Sequence, residues 1–230
     1  MTASQPTTPN GADLDTVICD YNRVIGEDPS PAQWTGIAEL AGWQPPETHA
    51  FQQAFWERRA AYDEGAISTV TFWSGLLRNG RTAPAGSALL DALASADIDL
   101  WTTTDPAVLG ILSRAHAAGL RLVLLSNAPK PLANVLDDAE WCATLFTQTV
   151  YSARIGVNKP DERAFEAALE AAGWPQPWKT LFVDDRLENV EAAERLGLQT
   201  LHYTGDPAAL ASRLPRPSTV TRPAVLATRA

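Results

Sequence analysis

Short apolar runs that stop at acidic or small polar residues alternate with stretches of helical periodicity along most of this chain. Leu14 to Cys19 (LDTVIC) is one such run, ending at Asp20, and fits a buried strand. LRLVLLSN, from Leu120 to Asn127, is a second. Before it, Val108, Leu109, Ile111, Leu112 and Ala115 recur at helical spacing over Pro106 to Ala118, and Gly119 supplies the stop. Leu145 to Tyr151 reads as a short third strand. A helix is expected over Asp161 to Ala172, after Pro160, with Phe165, Ala168, Leu169 and Ala172 on one face. KTLFVDD is a strand ending in two acids; a helix near Leu187 to Leu196 and a strand at Leu198 to Tyr203 follow. Such alternation predicts an α/β fold, a Rossmann-like parallel sheet with helices on both faces.

The alternation breaks between about Gly26 and Leu100. Trp34, Trp43, Trp56 and Trp73 fall there, with Trp101 at the edge, and the stretches AFQQAFWERRAAYDEG and TVTFWSGLLRNG read as helices. The simplest account is an all-helical cap inserted after strand one. The expected division is a flexible N-terminus over 1–13, a core over 14–25 and 101–214, a cap over 26–100, and a flexible Pro-rich tail over 215–230.

Composition narrows the function. A net charge of −9 argues against a general nucleic-acid binder, which would carry a basic face. No apolar run reaches the roughly 18 residues of a membrane helix, and the N-terminus has neither the basic nor the apolar part of a secretory signal. Cys19 and Cys142 form no CxxC or Cys/His cluster, so a reducing, cytoplasmic compartment is expected. His49, His116 and His202 show no ligand spacing, and packing is the expected role of the cap tryptophans and Phe72.

In open α/β sheets ligands bind at the carboxyl ends of the strands. Strand one ends in Asp20-Tyr21-Asn22, strand two in Ser126-Asn127, Lys159 opens the loop before a helix, and strand four ends in Asp184-Asp185. All four groups can therefore converge.

These segments resemble the four motifs of the haloacid dehalogenase superfamily: VICDYNRVI, LLSN, GVNKPDERAF and LFVDDRLENVEAAERLGL. YDEGAISTVTFW (Tyr62 to Trp73) is similar to helical caps of the first subfamily, in the glucose-1-phosphatase and epoxide-hydrolase-phosphatase branch. The resemblance implies a hydrolase or phosphatase acting on a small anionic, phosphorylated metabolite. It makes Asp20 the nucleophile that forms an aspartyl intermediate, with Ser126 and Asn127 on the transferred group and Lys159 offsetting its charge. Asp20, Asp184 and Asp185 against Lys159 leave the site two charges negative, which a Mg²⁺ ion would neutralise. By the same resemblance Asp20, Asp185 and the backbone carbonyl of Asn22 would ligate it, with Asp184 partly behind them. Asn189, one helical turn on, would support the acidic pair. Arg58, Arg59 and Tyr62 are candidate cap contacts to substrate. A homo- or hetero-dimer is compatible with all of this.

One position departs from the pattern. Family phosphatases carry a second Asp two residues after the nucleophile, which protonates the leaving group and later activates water. This chain has Asn22, whose amide cannot exchange a proton at useful pH. Three readings follow: a Mg²⁺-dependent hydrolase that tolerates Asn22; an enzyme of another type on the same scaffold, displacing or eliminating phosphate, sulfate or halide, with cyclisation in secondary metabolism among its forms; and an inactive binding or partner subunit. Dehalogenation of 2-haloacids fits less well. That chemistry uses an early cap arginine, and none occurs between Arg23 and Arg58.

Overall fold

Five short strands, β1 (Thr16–Cys19), β2 (Arg121–Ser126), β3 (Gln148–Tyr151), β4 (Thr180–Asp184) and β5 (Gln199–His202), form one sheet in the order β3-β2-β1-β4-β5. Every pairing is parallel, with Cys19 level with Leu124 on one side and Val183 on the other. This computed structural model describes residues 14–215; the expected N-terminal lead-in and, beyond Pro215, the expected tail lie outside the described residues.

The three central strands β1, β2 and β4 are mostly apolar and buried because both faces are covered. Val17, Cys19, Leu122, Leu124, Leu181 and Val183 point to one face. There they meet α5 (Pro106–Ala117), α6 (Lys130–Asp138), α7 (Glu140–Leu145) and α11 (Pro207–Arg213). Ile18, Val123, Leu125 and Phe182 point to the other, against α9 (Glu162–Ala171) and α10 (Leu187–Arg195). Asp105 caps α5 by accepting the amides of Ala107 and Val108, and Gly119 stops it with φ 94°.

The insertion after β1 is helical: α1 (Pro31–Leu40), α2 (Thr48–Asp63), α3 (Thr69–Ser74) and α4 (Ala88–Trp101). Its core is a run of edge-to-face aromatic contacts, among them Trp34 on Phe55 at 5.2 Å and Phe55 on Phe72 at 5.2 Å. Trp34, Trp43, Trp73, Trp101 and Phe72 are buried, so the expected packing role holds for them; Trp56 is exposed. The same core continues under α5 to the sheet. The chain enters and leaves through paired linkers: the Glu27 amide donates to the Thr103 carbonyl and the Asp105 amide to that of Ile25. Gly26 lies against the Tyr21 ring, where a Cβ would come within 3.1 Å.

Two expected elements differ. The helix read over Thr69 to Gly80 ends at Ser74, with Gly75 as its C-cap. Leu76 and Leu77 continued the apolar pattern, but they belong to the turns that follow. The strand read from Leu145 begins at Gln148, because Leu145 closes α7 and is buried there. No described helix is long and apolar enough to cross a membrane.

Candidate active site

The carboxyl ends of β1, β2 and β4 bring their polar residues to one buried point. Lys159 sits at its centre, 4% exposed, its Nζ 2.7 Å from Asp20 Oδ1, 2.7 Å from Asp184 Oδ2 and 2.9 Å from the Leu125 carbonyl. The three donors of the ammonium are thereby all directed. Burial pulls this lysine's pKa down, but Asp184 and Asp20 more than offset it and raise it above the usual lysine value. Lys159 is held there through its backbone: Asn127 Oδ1 accepts the Lys159 amide at 2.8 Å and Asn127 Nδ2 donates to its carbonyl at 3.0 Å. Asn127 therefore spends its side chain on Lys159.

Burial pushes the Asp20 carboxyl up to about 7, with Lys159 pulling it down and Asp184 adding to the rise. Asp184 is fully buried and fully engaged. Its Oδ1 accepts from the Arg186 amide and from Asn189 Nδ2, both at 2.9 Å, while Oδ2 faces Lys159. Asp185 is less enclosed, and burial with the charge of Asp184 raises it too. Its Oδ2 lies 3.6 Å from Arg23 Nη1, and its carbonyl 2.9 Å from His202 Nε2.

Among the described residues, Asp20, Asp184 and Asp185 can each offer an oxygen within 4.8 Å of the others. The donor set is all hard oxygen, which suits a cation such as Mg²⁺ or Ca²⁺ and not a soft metal. Two further atoms mark the place. Asn22 Oδ1 and Ser126 Oγ are buried with no hydrogen-bond partner, a costly condition that a bound ligand would relieve.

The three candidate cap contacts, Arg58, Arg59 and Tyr62, are all engaged with other residues of the helical insertion. Arg59 is buried, its Nε 2.6 Å from Asp63 Oδ1 and its Nη1 2.8 Å from Asp97 Oδ1, with Phe55, Tyr62 and Trp101 around the guanidinium. Its charge is consumed inside the cap. Tyr62 stacks on Phe72 at 4.4 Å, its hydroxyl 3.2 Å from that of Thr69. Arg58 donates to the Gly75 carbonyl. In sequence all three lie on a charged stretch of α2, and only the fold reveals which way each faces.

Sequence reasoning passed over three neighbours of the site. Arg23, the residue after Asn22, adopts φ 58°, which is uncommon for a side chain with a Cβ. It pairs with Asp28 at 2.7 Å and lines a cleft of about 390 Å³ together with Asp185, Asp105 and Tyr203. Its place beside Asn22 is a signal that could have been used. His202, at the end of β5, falls under the same strand-end rule that found the others. Ser152 carried no signal at all.

The parallel sheet, the helical insertion and the buried carboxylate–lysine cluster at the strand ends define a hydrolase of the haloacid dehalogenase type. A family model described as haloacid dehalogenase-like hydrolase matches residues 13–197, and the chain belongs to that family. It is 32% identical over 100 residues to the sesquiterpene phosphatase astK of Aspergillus oryzae, covering 44% of this chain and 50% of that protein. It is 34% identical over 84 residues to the drimenol cyclase drtB of Aspergillus calidoustus, covering 36% of this chain and 16% of the other. The matched stretches thus span half, or much less, of these relatives. A Bacteroides thetaiotaomicron family enzyme, crystallised with magnesium and inorganic phosphate, shares the fold. Its TM-score is 0.64 at 18% identity, covering 82% of this chain and 93% of that one.

Proposed function

We propose that the protein is a Mg²⁺-dependent hydrolase of a small phosphorylated metabolite, acting through Asp20. The observation that carries this reading is Asp20 buried against Lys159, beside two further carboxylates and the unpartnered Ser126 hydroxyl. Asp20, Asp185 and the Asn22 carbonyl would hold the metal, with Asp184 oriented behind them by Asn189. Bound there, Mg²⁺ would neutralise charge on the carboxylates and on a phosphoryl group. An Asp20 carboxylate oxygen bonds to phosphorus as the bond from phosphorus to the leaving oxygen breaks; water then attacks that phosphorus, the Asp20 oxygen leaves, and inorganic phosphate is released. The Lys159 ammonium favours the ionised form of Asp20 and offsets the anionic group, and Ser126 Oγ donates to a non-bridging oxygen.

Asn22 selects among leaving groups. An alkoxide needs a proton that Asn22 lacks. Attack on the terminal phosphorus of a diphosphate instead expels a phosphate monoester, whose second pKa of about 6 lets it leave unprotonated near neutral pH. The names of the two fungal relatives point to terpenoid substrates, so a sesquiterpenyl monophosphate and diphosphate are the first compounds to try. The second reading, favoured by Asn22 and by the cyclase relative, is displacement or elimination of the phosphorylated group without water. It would give a cyclic or unsaturated product.

The test is a Mg²⁺-supplemented screen of wild type beside Asp20→Asn, with released phosphate and organic product both measured. Phosphate released by wild type and abolished in Asp20→Asn is the expected result. Turnover that survives the substitution overturns the reading. Calorimetry should also show Mg²⁺ binding that Asp185→Ala removes, and equal titrations would count against the metal assignment.

A further inference from the structure

The last turn of α2 in the cap and the loop carrying Ser126 and Asn127 in the core share one hydroxyl. Ser152, 1% exposed at the end of β3, accepts the Ala128 amide at 3.0 Å and donates to the Asp63 carbonyl. A second tie runs beside it. Asn158, next to Lys159, donates to the Ala60 carbonyl at 2.8 Å and lies 3.4 Å from Glu64 Oε2. Between these ties Gly65 crosses the core with φ 76°, so close that a Cβ would stand 3.2 Å from the Ala153 carbonyl.

Lys159 is thus one residue from Asn158, which bonds the cap turn directly, and Ser126 and Asn127 lie just before Ala128, whose amide reaches that turn through the Ser152 hydroxyl. A hydroxyl has one proton to give. Ser152 can satisfy both the Ala128 amide and the Asp63 carbonyl only while the turn is seated. Donation to the Asp63 carbonyl fixes the hydroxyl's rotation and aims a lone pair at the Ala128 amide; with the turn withdrawn the hydroxyl turns freely and that amide is held less well.

We propose that Ser152 is a positioning residue that couples seating of the cap to the geometry of the Ser126–Ala128 loop. The effect on turnover rests on the hydrolase reading above; the structural coupling does not.

The experiment compares wild type with Ser152→Ala, Ser152→Thr and Gly65→Ala, which strains the cap turn where it meets Ala153. Hydrogen exchange of the Ala128 amide is read by NMR, and inorganic phosphate affinity is measured with Mg²⁺ present. Gly65→Ala should speed Ala128 exchange about tenfold, the scale of one lost hydrogen bond. Ser152→Ala should do at least as much and weaken phosphate binding, with Ser152→Thr restoring both. Asn158→Ala, which cuts the second tie, replaces Gly65→Ala if that variant does not fold. Unchanged Ala128 exchange in a folded cap-turn variant overturns the coupling. Faster exchange in Ser152→Ala with phosphate affinity intact overturns its relevance to the site. Lack of turnover by wild type would instead count against the hydrolase reading, leaving the exchange measurement to decide the coupling.

Discussion

Asn22 holds the site's geometry and lacks one chemical property. Its buried Oδ1 has no partner, so it can accept a hydrogen bond from a water or a leaving group without exchanging a proton. General acid–base catalysis contributes roughly 10²–10⁴-fold. Asn22→Asp is therefore expected to raise first-turnover release of the alcohol from an alkyl monophosphate by at least about tenfold, while changing leaving-group release from a diphosphate much less. Rapid-quench measurement of the leaving group from the two substrates checks this, and an equal response of both would sink the leaving-group argument. Asp20, Ser126 and Asp185 were legible because each lies where a run of apolar residues stops, and Lys159 because it opens the loop before a helix. Asn127 was legible as a position, but its actual partner, the backbone of Lys159, is set by a tertiary contact.

Among the elements, β1, β2 and β4 were read closely because short apolar runs that stop at polar residues leave little choice between structures. The helices were read less well. Lys130–Asp138 begins Lys-Pro, which hides its periodicity, yet proline is tolerated in the first turn. Helix α2 misled in another way. Arg59 reads in the sequence as a candidate substrate contact beside Arg58, but it pairs with Asp97 on α4. Such a pair ties α2 to α4, and removing one partner strands a buried charge. Arg59→Met should cost about 3–5 kcal/mol in chemical denaturation. The double variant Arg59→Met with Asp97→Leu should recover part of it. No loss in the single variant would mean the pair contributes nothing to holding the two helices together.

At the scale of the molecule, that triad makes stability depend on pH. Burial lifts the Asp63 carboxyl from 3.8 to about 7, with Arg59 opposing and Asp97 adding. The folded protein therefore keeps a proton that the unfolded chain releases. This contribution is complete below pH about 4 and is lost as pH rises through about 7. Asp63→Asn carries a neutral side chain throughout. The stability of wild type relative to this variant should fall between pH 4.5 and 8, measured by urea denaturation at each pH. A constant difference across that range would exclude the raised carboxyl. The architecture itself was largely legible, since strand–helix alternation permits few topologies. The seating of the insertion was not, because Ser152 and Asn158 belong to no periodic pattern.

The paired linkers have an evolutionary consequence. Because the Ile25–Glu27 and Thr103–Asp105 segments run side by side and exchange amide hydrogen bonds, the inserted helices leave and rejoin the sheet at nearly the same spot. A segment with adjoining ends is a natural unit for transplantation, as domain insertions are tolerated where the termini meet. Exchange of this unit would carry a new substrate preference onto an unchanged strand-end chemistry. The condition is that the transplant bring a turn able to present a carbonyl to Ser152.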